Sequence, residues 1–175
     1  MLNRLFRPRP AQLTGRTLYA ACVEQARSPA LYTAYAAPDT PTGRFEIYTL
    51  HVVALLDRLG GHGPQAAETA QALFDTYLKA LDHALRELGV GDLSVGKKMR
   101  RLGEAFFGRA KSYQAAYKAL PDRSELEALI ARTVYVAGDA ERAPELAAYA
   151  AGQREHLEGQ PLAEILAGRV TWRPA

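Results

Sequence analysis

Residues 64–89 read PQAAETAQALFDTYLKALDHALRELG, and this stretch decides the fold. Ala70, Leu73, Phe74, Tyr77, Leu78, Leu81, Ala84, Leu85 and Leu88 recur at three- and four-residue intervals, which places them on one face of an α-helix. Pro64 stands at the first helical position, where a missing N–H costs nothing. Gly89 stands where a left-handed C-terminal cap belongs. The stretch predicts a long amphipathic helix whose apolar face needs partners.

The partners lie on both sides. Upstream, Arg44 to Leu59 is apolar on nearly every side (Phe45, Ile47, Tyr48, Leu50, Val52, Val53, Leu55, Leu56, Leu59), the pattern of a central buried helix. Before it, Leu13 to Arg27 carries a looser helical pattern interrupted by Pro29, and PALYTAYAAP runs into a Pro/Gly loop over 38–43. Downstream, a second long helix is expected from about Val95 to Leu120, with the stripe Val95, Met99, Leu102, Phe106, Tyr113, Tyr117 and Leu120. Gly103 and Gly108 interrupt it at about 1 kcal/mol each relative to alanine, which predicts a close helix contact or a bend. Pro121 stops this helix. Ser124 with Glu127 forms a capping-box signature for the next, which holds Leu126, Leu129, Ile130, Val134 and Tyr135 and ends at Gly138. Two shorter helical patterns follow, Pro144–Leu157 and Pro161–Ala167. No segment alternates with period two for long. The expectation is an all-α protein, a single compact helical domain of about six to eight helices over residues 11–175, behind a basic N-terminal tail at 1–10.

With 175 residues the chain can build a core without crosslinks, and its one cysteine, Cys22, permits no intramolecular disulfide. The charge-free run Ile47–Leu56 is far shorter than the ~20 apolar residues that a bilayer span needs. The opening MLNRLFRPRP has three arginines and no apolar stretch behind them, so it does not read as a secretory signal. Net charge is +3, unevenly spread. Residues 1–93 balance to zero and residues 119–175 carry −3. Residues 94–118 carry +6, from Lys97, Lys98, Arg100, Arg101, Arg109, Lys111 and Lys118 against Glu104 alone.

Catalytic chemistry is not in evidence. His51, His62, His83 and His156 show no metal-ligand spacing, and there is neither HExxH nor CxxC. His51, inside the apolar helix, reads as a satisfied core histidine, and Cys22, beside Ala20 and Ala21, reads as a small buried filler. VGDLSVGKK lacks the phosphate-loop spacing and follows a helix. Asp75, Asp82 and Glu87 share one helix as a solvated or ion-paired face, with Asp82 and Arg86 an i,i+4 pair. The chain reads as a non-enzyme with neither metal nor cofactor.

A binding surface is the remaining expectation. Adjacent helical residues point about 100° apart, so Phe106 can join the core while Phe107 faces outward among bases. We assign Lys97, Lys98, Arg101, Phe107, Arg109 and Lys111 as the candidate contact face for an acidic or phosphate-rich partner. The competing expectation is that these bases pair with the acidic C-terminal third.

The strings SPALYTAYAAPDTPTGRFEIYTLH (28–51) and LFDTYLKALDHALRELGVGDLSVGKKMRRLGEAFFGRAKSYQAAY (73–117), with the spacing between them, resemble the ubiquinol–cytochrome c chaperone family over roughly residues 10–140. The residues that match its pattern include Asp39, Thr40, Arg44, Phe45, Asp75, Asp82, Arg86, Gly91 and Asp92. The resemblance implies a non-enzymatic helical assembly factor for respiratory complex III, whose client is newly made cytochrome b. The chain is similar to the compact bacterial members, since the domain begins almost at Met1 without a mitochondrial presequence. That similarity implies the bacterial cytoplasm, at the cytoplasmic face of the inner membrane. Two roles compete for Asp39, Thr40 and Arg44: fixing a loop by hydrogen bonds, or binding a partner. Loop Gly89–Asp92 reads as a tight turn with Asp92 capping the following helix. Two other uses of the basic helix stay open: contact with the ribosome or ribosomal RNA, and contact with an anionic membrane surface aided by residues 1–10 or by the tyrosines at 32 and 35. Sequence-specific DNA binding is not expected, since no helix-turn-helix signature is present.

Overall fold

The computed structural model describes residues 10–136 and 140–175. Of the basic tail expected at 1–10, residues 1–9 lie outside these described residues and Pro10 opens the first helix; the expected helix end at Gly138 and the side chain of Leu93 also lie outside them. The elements are α1 (Pro10–Ala26), α2 (Pro29–Thr33), α3 (Pro41–Leu59), α4 (Pro64–Glu87), α5 (Asp92–Ala119), α6 (Ser124–Thr133), a 3-10 turn (Ala140–Arg142), α7 (Ala143–Gly159) and α8 (Leu162–Leu166). No strand occurs among the described residues.

Helix α3 is the axis. Ile47, Leu50, Val52, Val53, Ala54 and Leu55 are all at most 2% exposed, so α3 is covered around its circumference by α1, α4, α5 and α7. Each such aliphatic side chain contributes about 1.5–3 kcal/mol on leaving water. Helix α1 lies directly on α4. A Cβ at Gly15 would fall 2.6 Å from the Ala72 carbonyl carbon and 2.7 Å from the Leu73 nitrogen, so only glycine allows the backbones this close. Farther along, the Tyr19 and Tyr77 rings lie 6.2 Å apart, so both helices advance in the same direction.

Two polar groups buried on α3 are satisfied across the core. Thr49 and Tyr77 share a 2.8 Å hydroxyl–hydroxyl bond. His51 Nδ1 lies 2.8 Å from the Ile47 carbonyl oxygen, which can only accept, so Nδ1 carries the proton. Nε2 then accepts from the Tyr149 hydroxyl at 2.8 Å, and that hydroxyl accepts from the Gln25 amide at 2.8 Å. His51 is thus the satisfied core histidine expected. Burial holds its pKa down at about 4. Cys22 is also fully buried, and burial pushes its thiol upward, away from any nucleophilic role.

The segment after α8 closes the domain as a strap. The Arg173 carbonyl accepts from Gln25 at 2.9 Å and from Gln153 at 2.8 Å, and the Arg173 N–H donates to Gln153 at 3.0 Å. Gln160 bonds both backbone groups of Thr171. Trp172 sets its ring edge-on to His51, with centroids 5.1 Å apart.

Several local expectations are corrected. Helix α5 begins at Asp92 rather than Val95, with Gly91 as its N-cap, and Asp92 makes no cap bond. The Ser124–Glu127 capping box does not form. Ser124 is itself the first helical residue, and its N–H donates instead to the Asp122 carboxylate at 2.9 Å, in the turn that follows Pro121. Neither Gly103 nor Gly108 marks a close contact, because a Cβ at either would meet nothing within 4 Å. Gly89 does take the left-handed conformation, with φ 78°.

Candidate interaction surface

Helices α4 and α5 outrun the core. Of the described side chains between residues 78 and 105, only Val95 is buried, so the end of α4 and the start of α5 form an arm standing off the domain. The apolar face of α4 continues onto this arm because Phe74, Leu81 and Leu88 repeat every seven residues, close to two helical turns. Leu88 is 67% exposed.

A groove of about 580 Å³ opens between this arm and the start of α3. Its apolar surface comes from Phe45 and Tyr48 of α3, Leu81, Leu85 and Leu88 of α4, and Leu102 of α5. The loop that shapes one wall admits only glycine at 43, where a Cβ would lie 2.0 Å from the Pro38 carbonyl oxygen. The Thr40 hydroxyl accepts the Gly43 N–H at 3.1 Å as N-cap of α3, and Arg44 pairs with Asp39 while lying over the Tyr32 ring at 5.2 Å. Asp39, Thr40 and Arg44 therefore hold the loop, and with Phe45 they line the groove. On the arm, Arg86 donates to Asp82 at 2.8 Å and also pairs with Asp92, tying the hairpin turn together across Gly91. Asp75 stands apart on α4, exposed, accepting from Gln71 at 2.8 Å.

The bases of α5 divide by environment. Arg109 is half-buried, and its guanidinium makes two 2.9 Å bonds to the carboxylate of Glu46, itself 3% exposed. It is a clamp between α5 and α3, since a buried carboxylate needs a partner. Lys97, Lys98, Arg101 and Lys111 are exposed, and none has a carboxylate within 4 Å among the described residues. Three of the C-terminal acids have other partners: Glu145 with Arg142, Glu158 with Arg154 and Glu164 with Arg169. The expectation that the acidic third neutralises α5 is not met.

Phe107 is 62% exposed, while Phe106 is 2% exposed and packs on Tyr77 at 5.2 Å. Phe107 borders a second groove, of about 530 Å³, formed farther back along α4 by Leu56, Ala67, Ala70, Phe74, Ala110 and Lys111 among others. The first groove was hidden from sequence reading because Leu81, Leu85 and Leu88 look like core. Among the described residues no helix faces them, which leaves them open. Among the described residues no cluster of histidine, cysteine and carboxylates could hold a metal ion, and no helix is long and apolar enough to cross a membrane.

A family profile described as ubiquinol-cytochrome C chaperone matches residues 33–172. The chain is also similar to a solved structure, described as the crystal structure of the Cbp3 homolog from Brucella abortus, with 33% sequence identity and a TM-score of 0.85. That similarity covers 99% of this chain and 97% of the other. A comparison with the curated proteins finds no match.

Proposed function

Because the chain belongs to the ubiquinol–cytochrome c chaperone family, we propose that it is a non-enzymatic assembly chaperone. It holds newly made cytochrome b on the way to respiratory complex III, at the cytoplasmic face of the membrane. The observation that carries this reading is the open apolar groove between α3 and the α4–α5 arm, with Lys97, Lys98 and Arg101 exposed on the same arm and without a carboxylate partner among the described residues. A client with spans meant for a bilayer presents apolar helix faces while it waits for assembly, and its polar loops need a separate recognition element. Phe45, Tyr48, Leu85 and Leu88 offer the first contact, and Lys97, Lys98 and Arg101 the second. Such a holder needs no reacting group.

The test is affinity purification of the tagged protein in mild detergent, comparing the wild type with Leu88→Asp and with the double variant Lys98→Glu/Arg101→Glu. These positions are exposed, so the substitutions should change folding stability by no more than about 0.5 kcal/mol. Cytochrome b should co-purify with the wild type and fall at least about fivefold with either folded variant. Undiminished recovery with both would overturn the site, and no cytochrome b at all would overturn the client. The unpaired bases also favour a second reading, contact with ribosomal RNA or anionic lipid. Its mark would be binding to ribosomes or vesicles that collapses as salt is raised.

A further inference from the structure

A second groove lies beside Phe107, apart from the one between α3 and the arm. We infer that it takes an amphipathic helical segment of a protein partner, apolar on one side and acidic on the other. This goes beyond the client reading and holds whichever client is bound at the arm.

Shape argues first. The floor is made of side chains that are almost wholly buried, Val53 and Phe106 at 2% exposure each, while Phe107 rises at the edge. Phe74 stacks on both phenylalanines, with centroids 5.0 Å from Phe106 and 5.3 Å from Phe107, so the exposed ring is held in place before anything binds. The α4 wall is low, built of Ala67 and Ala70, and a helix backbone can approach small residues closely. A volume of about 530 Å³ lies within the range of small-ligand sites and suits a row of leucine-sized side chains. A bilayer surface is too flat to fill a concave floor. A nucleic acid base could stack on Phe107, but of the lining side chains just Gln71, Gln114 and Lys111 could bond its edges, and the rest of the groove is apolar.

Charge argues second. Lys111 lines the groove, and Lys118 follows it by seven residues, as Phe107 follows Arg100, so these bases share a side of α5 with the exposed ring. None of the three bases has a carboxylate within 4 Å among the described residues, and Glu104 is the single acid interspersed with them. The acids on the neighbouring stretch of α4, Glu68 and Asp75, face a different depression against α1, together with Arg16 and Lys79. The rim is therefore basic on its α5 side, and a partner helix gains by placing carboxylates there.

Two fluorescent model peptides of about four helical turns would test this on the full chain. One is leucine-faced with glutamates, the other leucine-faced with lysines, and a glutamate/glutamine peptide without leucine serves as control. By anisotropy, the leucine/glutamate peptide should bind at least about tenfold more tightly than either of the others. Phe107→Ala should weaken it about tenfold. Lys111→Glu should weaken it and strengthen the lysine peptide, whereas Lys98→Glu/Arg101→Glu should leave it unchanged. Equal binding of the glutamate and lysine peptides would overturn the inference, as would indifference to both Phe107→Ala and Lys111→Glu in folded protein. Displacement of the peptide by homopolymeric RNA or phosphatidylglycerol vesicles, in a manner that requires Phe107, would overturn a protein partner in favour of that ligand.

Discussion

His51 is uncharged at neutral pH because of where it sits, fully buried, with one ring nitrogen donating to a carbonyl and the other accepting from Tyr149. A second proton would bring Nε2–H against a hydroxyl already accepting from Gln25. Unfolded, the ring titrates at the ordinary 6.5; folded, at about 4. Between those values the unfolded chain takes up a proton that the folded chain refuses. This contribution to stability is therefore complete above pH 6.5 and is lost progressively as pH falls towards 4. The loss amounts to about 3 kcal/mol at most. Urea titrations at two pH values spanning this window should show the wild type losing stability on acidification. His51→Gln, less stable at neutral pH for want of a well-fitted ring, should lose distinctly less. Parallel losses in both would mean that His51 is not the group responsible.

Helix α5 carries glycines that its packing does not require. Gly103 and Gly108 touch nothing that a methyl group would disturb, and both lie in regular helix. Gly103→Ala and Gly108→Ala should each stabilise the protein by about 0.5–1 kcal/mol, measured by thermal or urea unfolding. Destabilisation by either would show that the helix departs from regular geometry there. These glycines also mark how far the sequence could be read. Periodicity locates α3 and α4 because Leu50, Val53, Leu73 and Tyr77 combine apolar character with true burial. It overextends the core along α4 because Leu85 and Leu88 have the same character without a facing element among the described residues, and periodicity measures spacing, not neighbours. The candidate face was legible in part. Lys97, Lys98, Arg101, Phe107 and Lys111 stand exposed as a mixed basic and aromatic helix predicts. Arg109 could not be told from them, because its partner Glu46 lies 63 residues away and nothing local announces a clamp.

At the scale of the whole molecule, residues 169–175 add contacts across α1, α3 and α7, which already pack on one another. Gln25, Gln153 and Gln160 spend their amides on backbone groups of this strap, and Trp172 covers His51. Ending the chain after Gly168 should cost at least about 3 kcal/mol, the scale of removing a large aromatic from a core, and the melting temperature should fall accordingly. A truncated protein as stable as the full one would reduce the strap to a surface ornament. The same contacts set an order of events in time. Gln25 bonds a carbonyl 148 residues later in the chain, an interval that a ribosome takes on the order of ten seconds to cover. For most of it, the ring of His51 and the neighbouring apolar surface wait for the tryptophan that will shield them. While it is being made, the chaperone is in the same position as the unfinished membrane protein it is proposed to hold.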